Sequence, residues 1–448
     1  MSDRYDVIVL GMGPGGEAAA EKLQAAGKTI AVVERDLIGG ECAYWGCIPS
    51  KTLLRPPEAR SDAGRAAGVT EPELVWPQIR DYRNYMVRHY DDSGQVDRWQ
   101  RRGAIVLKGH GRVAAPGRVD VDGRNLEADH IVIATGAEPI TPPIDGLTDA
   151  HVWTNREATA LREIPSRAVF IGGGAVGVEL SQFLGRMGSA VTVVEIADRL
   201  LGHEDPSVGQ LIEQALSAEG ITIETGRKVT NVRQQGGETA VELDTGDTVP
   251  TDVIVAATGR RPRIHDLGLE TVGIDLSRGR LVVDDRCAVA DGVWAIGDVT
   301  AIAQFTHVAK YQGRVVADNI LGKTRRATYR AIPRVVFSDP EVATVGYTMD
   351  EAHRDGVDLA SMRIDLADLI ARPYTYERQP RGSLGLLADR PRRVLIGAWA
   401  VAPLASEWIH LAALAIRAET PIDTLLDTVA QFPTYSEAYL AGLERLDL

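Results

Sequence analysis

The chain has 448 residues, is 44% hydrophobic and carries a formal net charge of −13, enough apolar mass for roughly two to four packed domains and too much for disorder. No lysine or arginine cluster stands clear of interleaved acids, so the footprint of a protein that binds nucleic acid is missing. The opening MSDRYDVIVLGMG has no signal-peptide core, and no apolar run nears the roughly 18 residues of a membrane span. A cytoplasmic location is the expectation, with no membrane and no nucleic-acid partner.

The first element is YDVIVL, an apolar run of strand length over residues 5–10, followed by GMGPGG and the alanine-rich helical stretch EAAAEKLQAAG. A second run, TIAVVE, ends in Glu34. This order is that of a dinucleotide-binding unit: Gly11 for the tight turn, Gly13 for backbone approach to a pyrophosphate, Gly16 for close helix packing, and Glu34 for the ribose hydroxyls.

Next comes GECAYWGCIPSK at 40–51, with Cys42 and Cys47, two of only three cysteines. In a reducing compartment such a pair is more often catalytic or metal-binding than structural. Residues five apart on a regular helix have Cα atoms about 8–9 Å apart, beyond the roughly 7 Å limit for a disulfide. The two thiols can therefore join only if the helix is distorted between them. Gly39, Gly40 and Gly46 permit that, and Pro49 removes a backbone donor just beyond. Zinc normally takes four ligands, and no second cysteine pair or nearby histidine supplies them, so no metal is expected. Two inert buried thiols remain the bland alternative, and Cys287 reads as a packed residue. Lys51 is either a solvated helix lysine or a positive charge placed where reduction of a flavin puts negative charge. Glu179 is a candidate ion partner for it.

The dinucleotide pattern recurs over 168–195, AVFIGGGAVGVELSQFLGRMGSAVTVVE, with Gly172, Gly174, Gly177 and Glu195. Each copy is followed by an apolar run ending in ATG: Thr135 and Gly136 after the first, Thr258 and Gly259 after the second. Two sites imply two dinucleotides. Glu195 favours a free 2′-hydroxyl, hence NAD(H) over NADP(H), although Arg199 lies near enough to meet a phosphate if its loop turned. In VWAIGDV, Asp298 lies just beyond an apolar strand, where such sheets bind ligands; its bland reading is a helix cap near Thr300. FTHVAKYQGRVVADNIL reads as a helix whose N-terminus could stabilise a reduced flavin. From 334 onward, GSLGLLAD and VLIGAWAVAP read as paired strands and SEWIHLAALAIRAE as an amphipathic helix.

Taken together, these motifs resemble the flavoprotein disulfide reductases over essentially the whole chain. The resemblance implies an α/β architecture with two Rossmann-like domains and an α+β interface domain. FAD-binding falls to 1–150 and 264–330, NAD(P)H-binding to 151–263, and dimerisation to 331–448. It implies FAD and NAD(H) as cofactors, and a homodimer whose last domain completes the partner's active site. By position, Cys47 faces the flavin, Cys42 is the interchange thiol, Lys51 neighbours flavin N5, Asp298 meets the ribityl chain, and the Thr306 backbone meets the isoalloxazine. Gly40, Gly111 and Val229 join the cofactor contacts, and the gating aromatic of the family falls at Ala175.

One departure carries chemical weight. The family's His-Pro-Thr-x-Ser-Glu segment reads Phe432, Pro433, Thr434, Tyr435, Ser436, Glu437 here, so the glutamate is present and the proton-shuttling histidine is phenylalanine. No histidine follows His410. General acid-base help is worth typically about 10²- to 10⁴-fold, and thiol–disulfide exchange needs it. The mercuric reductases' extra C-terminal cysteine pair has no counterpart in GLERLDL. The expectation is an NADH-dependent flavoenzyme whose small-molecule acceptor is not a conventional disulfide, with a quinone leading. Dihydrolipoamide dehydrogenase is the runner-up. A soluble transhydrogenase or a 2-ketopropyl coenzyme M carboxylating reductase, and a non-catalytic redox sensor, are the other readings.

Overall fold

The first apolar run becomes the strand Asp3–Leu10, flanked by Ile30–Glu34 and Arg124–Ile133, both parallel to it. The computed structural model describes residues 3–448. The chain forms two compact units, each drawn from three segments: Met1–Pro49, Asp81–Ile140 and Gly259–Thr328 in one, Ser50–Arg80, Thr141–Thr258 and Tyr329–Leu448 in the other.

In the first unit the parallel core extends through Ile105–Lys108 on one side and Val293–Ala295 on the other. Its strands read as unbroken apolar runs because both faces are buried. Val7, Val9 and Val32 turn toward the helices Pro14–Ala25 and Thr306–Ile320, while Ile8, Leu10, Ala31 and Val33 meet a second core with Val113, Val119 and Leu281. The strand order reverses at Asp3–Leu10, with Ile30–Glu34 on one side and Arg124–Ile133 on the other. Ligands of open parallel sheets bind at such a reversal, beyond the strands' carboxyl ends.

The second unit repeats the plan. Its five-stranded sheet runs Thr222–Thr225, Ala190–Glu195, Arg167–Ile171, Val253–Ala256, Val152–Trp153, with every pairing parallel. The reversal falls beside Arg167–Ile171. Residues 50–80, grouped with 1–150 by motif position, pack in this unit, where Leu53, Leu54 and Ile79 share a core with Phe170, Val178 and Phe183. The same unit holds a five-stranded antiparallel sheet, Pro333–Val336, Glu341–Gly346, Val394–Ala402, Ser383–Asp389, Leu359–Asp365, backed by the helices His410–Ala418 and Glu437–Leu443. GSLGLLAD and VLIGAWAVAP thus pair antiparallel. The stretch SEWIHLAALAIRAE forms two short helices, Ala405–Trp408 and His410–Ala418, rather than one.

Candidate functional site

The two glycine-rich turns are built alike to the level of single hydrogen bonds. The Met12 N–H donates to Glu34 Oε2 at 2.7 Å and the Gly173 N–H to Glu195 Oε2 at 2.6 Å, each spanning 22 residues. The other carboxylate oxygens accept from Asp36 N and Ala197 N, both at 2.7 Å. Gly11 has φ +96° and Gly172 +110°, and a Cβ on either would lie 2.4 or 2.5 Å from the carbonyl oxygen of Ala134 or Ala257. A Cβ at Gly16 or Gly177 would strike the Gly11 or Gly172 oxygen at 2.1 or 2.0 Å.

The middle glycines differ. A Cβ at Gly13 meets nothing nearer than Gly40 Cα at 4.0 Å, and one at Gly174 meets nothing within 4 Å. Both are N-caps without a side-chain cap bond, so their missing side chains and the first-turn N–H groups leave a cradle fitted to a diphosphate. The residues present therefore fit two dinucleotides. Ala175, in the gating position, is exposed, and Arg199 is turned to Asp198 at 3.1 Å and the Gly202 oxygen at 3.3 Å. Burial raises the Glu34 carboxyl, with the Met12 and Asp36 N–H groups opposing it.

Around the first turn, the Thr135 hydroxyl donates to Arg263 O at 2.8 Å and the Arg263 N–H to Gly136 O at 2.9 Å, so the first ATG loop is tied down. Gly259 O accepts from Ile140 N at 3.0 Å. Asp298 lies in the turn Gly297–Thr300, where it caps no helix; the Thr300 hydroxyl closes the turn on Gly297 O at 2.8 Å. Burial raises the Asp298 carboxyl; Arg260 and Arg263 oppose this and Glu41 adds to it. Gly111 opens a strand, packed against Leu10 and Val33, and Val229 is buried at the start of another, so each can offer a ligand only backbone.

The cysteine segment breaks where the geometry requires. Gly40–Tyr44 is one short helix, Cys47–Arg65 is another, and Trp45 and Gly46 form the junction. Cys42 and Cys47 are present as thiols. Cys47 Sγ lies 3.4 Å from the Thr306 hydroxyl, at the first residue of the helix Thr306–Ile320. The Cys42 thiol is pushed far above its ordinary range, first by its hydrogen bond to Cys47 and then by burial, with Thr306 and Lys310 pulling weakly the other way. The two sulfurs therefore face each other, and Cys42 holds its proton more tightly because its neighbour shares it. Gly40, at φ +62°, brings this segment against Gly13.

In the second unit, Lys51 Nζ lies 2.7 Å from Glu179 Oε2 and 4.6 Å above the Phe337 ring, while Glu179 Oε1 accepts from Phe337 N at 2.9 Å. Glu179 is 5% exposed, so this carboxylate is fully engaged and fixes the lysine. Near the C-terminus Phe432 is 69% exposed. Glu437 begins the helix Glu437–Leu443, and its Oε2 is buried with no hydrogen-bond partner among the described residues.

Sequence reasoning missed Asp339, a buried carboxylate contacted by Arg65 at 2.9 Å, Arg186 at 2.8 Å and Arg381 at 2.9 Å. It also missed the contacts made by Tyr44 and Trp45. Nothing in the local sequence marks the first, because its arginines lie 42 residues or more from Asp339; the two aromatics between the cysteines were the available signal for the second.

Two dinucleotide turns, one beside a dithiol, define the class: a flavoprotein that couples a pyridine nucleotide to thiol chemistry. Comparison with known proteins agrees. The family described as pyridine nucleotide-disulphide oxidoreductase matches residues 5–313, and its dimerisation domain matches 332–441. The chain is 30% identical to a mercuric reductase from Staphylococcus aureus, covering 97% of this chain and 81% of that one. It is 34% identical to a dihydrolipoyl dehydrogenase from Thermus scotoductus, over 99% and 97%. Among solved structures, the HOCl-induced flavoprotein disulfide reductase RclA of Escherichia coli superposes with a TM-score of 0.88 at 27% identity over 98% and 100% of the two chains. LpdA of Mycobacterium tuberculosis gives 0.88 at 28% over 99% of each.

The chain belongs to the pyridine nucleotide-disulphide oxidoreductases, NAD(P)H-dependent flavoprotein oxidoreductases that use FAD. No described helix is long and apolar enough to cross a membrane.

Proposed function

We propose that this chain is an NADH-dependent oxidoreductase that takes a hydride's two electrons, reduces the Cys42–Cys47 pair and serves an acceptor requiring no protein acid at a leaving thiolate, of which a quinone is the fitting class. FAD, when bound at the first glycine turn, supplies the exchange between hydride transfer and thiol chemistry. In the reading favoured here, residues 1–150 with 264–330 bind FAD, 151–263 bind NADH, and 331–448 form a homodimer interface that brings the Phe432 segment to the partner's cysteines.

Gly11, Gly13, Gly16, Glu34, Gly40, Gly111, Thr135, Gly136, Asp298 and Thr306 serve the first dinucleotide. Gly172, Gly174, Gly177, Glu195, Val229 and Gly259 serve the second. Glu195 accepts ribose hydroxyls and repels a 2′-phosphate, and Lys51, held by Glu179, offsets negative charge developed on reduction.

The observation that carries the proposal is Phe432, exposed and five residues before Glu437, whose Oε2 is buried with no partner among the described residues. A disulfide acceptor leaves as a thiolate that must be protonated, and neither a phenyl ring nor an unsupported carboxylate does this as an imidazole does. A quinone accepts two electrons and takes its protons from water. The second reading, dihydrolipoamide dehydrogenase, draws support from the Thermus relative and from Glu437. NADH oxidation measured with lipoamide and with a quinone, before and after thiol alkylation, separates the two. Quinone turnover with negligible lipoamide turnover supports the proposal, and its loss on alkylation places the cysteine pair on the route to the quinone; fast, alkylation-sensitive lipoamide turnover replaces it with the second reading.

A further inference from the structure

In the first unit the chain leaves Val87 and reaches the helix Ser93–Arg101 through Arg88, His89 and Tyr90, whose φ angles are +53°, +51° and +60°. In that region each Cβ crowds the following carbonyl oxygen, and L-residues enter it singly rather than in runs. A run of three persists only where its surroundings over-determine it, and such segments gather at working sites. The surroundings here are rigid on both sides. Val87 is fully buried and its N–H donates to Arg83 O at 3.0 Å. Beyond the turn, Asp92 Oδ2 accepts from Ile38 N at 2.7 Å and Lys108 Nζ at 2.6 Å.

The turn delivers two side chains to the loop between the cysteines. The Tyr90 ring stacks on Trp45, with centroids 6.2 Å apart and planes at 25°. The Arg88 guanidinium lies 5.8 Å over the ring of Tyr44. Tyr44 is fully buried and its hydroxyl donates to Ile38 O at 3.3 Å. Tyr44 and Trp45 mark the point where one helix stops before the next begins at Cys47. The Tyr90 hydroxyl is buried without a hydrogen-bond partner among the described residues, so the ring is what the turn positions.

We propose that the left-handed turn Arg88–Tyr90 is a clamp on the inter-cysteine loop, holding the helix break so that Cys42 faces Cys47 and thereby favouring the disulfide over the dithiol. This rests on reading Cys42–Cys47 as a pair that cycles between the two forms. A loose loop in the dithiol samples arrangements with the sulfurs apart, and closing the S–S bond costs that freedom. Pre-ordering the loop removes part of the cost and raises the effective concentration of one thiol at the other. Arg88 and Tyr90 are positioning residues, acting through Tyr44 and Trp45.

The test equilibrates the FAD-loaded enzyme anaerobically in mixtures of reduced and oxidised dithiothreitol. The exchange balances: two protein thiols and oxidised dithiothreitol give a protein disulfide and reduced dithiothreitol. Acid quenching, alkylation and mass counting read the ratio. Loss of an aromatic stack predicts that Tyr90→Leu shifts the equilibrium about 2- to 10-fold toward the dithiol, at most about 30 mV for two electrons. Tyr90→Phe keeps the wild-type ratio. Arg88→Gln, at an exposed position, shifts it the same way by about 2- to 5-fold, and carries the test should Tyr90→Leu misfold. Wild-type ratios in both the Leu and Gln variants overturn the clamp, as does a Phe variant displaced as far as Leu. A wild-type pair that never oxidises overturns the underlying reading, and the clamp with it.

Discussion

Replacing Gly13 and Gly16 separately with alanine distinguishes a glycine kept for a ligand from one kept for the fold. At Gly16 the added methyl would stand 2.1 Å from Gly11 O, a backbone atom. Relief requires the helix Pro14–Ala25 to move by more than an ångström against its strand. Overpacking of this kind costs roughly 1–3 kcal/mol, and the better helix propensity of alanine returns about 1 kcal/mol of it. A net loss of up to about 2 kcal/mol is expected even without ligand. At Gly13 φ is −72° and the methyl has 4.0 Å of clearance, so the apoprotein should hold its stability to within about 1 kcal/mol, the scale of an N-cap change. The same methyl stands where a diphosphate must approach the backbone. Losing one charge-assisted hydrogen bond of about 1.5–3 kcal/mol weakens FAD binding roughly 10- to 100-fold. Urea unfolding of the apoprotein and FAD reconstitution followed by flavin absorbance give both numbers. A Gly13→Ala protein that binds FAD as tightly as wild type would refute the assignment of that cradle.

Phe432→His should raise lipoamide turnover by tenfold or more, within the range of general acid-base help; unchanged turnover removes the missing imidazole as the limiting factor. Burial pushes the Asp339 carboxyl up, but Arg186, Arg381 and Arg65 outweigh it and hold its pKa at about 2 against an ordinary 3.8. The folded value is the depressed one, so the stabilisation is present above pH 4 and is lost as pH falls through 2. At about 1.4 kcal/mol per unit this is about 2 kcal/mol, and Asp339→Asn should flatten that part of the stability-against-pH curve in chemical denaturation. Glu179→Gln removes the charge facing Lys51 and should lower stability by about 1–2 kcal/mol, less than a fully buried pair because the lysine side chain is 34% exposed. A calorimetric midpoint equal to wild type contradicts that.

The parallel sheets and their glycine turns were legible because each depends on residues close together in the chain: apolar runs of strand length, glycines where a Cβ has no room, an acid ending the second strand. Glu34 and Glu195 illustrate the limit. Their position was readable, but not that each accepts two backbone N–H bonds, which is settled by a loop folding back on itself. The Lys51–Glu179 contact was inferred from the chemistry of both residues rather than from spacing, and the two atoms lie 2.7 Å apart. The arginines around Asp339 and the left-handed turn at Arg88–Tyr90 left no local trace. The first is assembled across 50–80, 141–258 and 329–448, and the second is imposed on ordinary residues by anchors at Val87 and Asp92. The break in SEWIHLAALAIRAE likewise lacks a glycine or proline to announce it.

At the centre of the mechanism stand two redox centres in one chain, a bound flavin and a Cys42–Cys47 sulfur–sulfur bond. Anaerobic titration of the purified FAD-loaded enzyme with dithionite, followed by absorbance and thiol counting, addresses them directly. The account predicts uptake of about four electrons per chain, two by the flavin and two by the disulfide, falling to about two in Cys42→Ser. Two electrons in the wild-type enzyme, with Cys42 and Cys47 unchanged throughout, would contradict it.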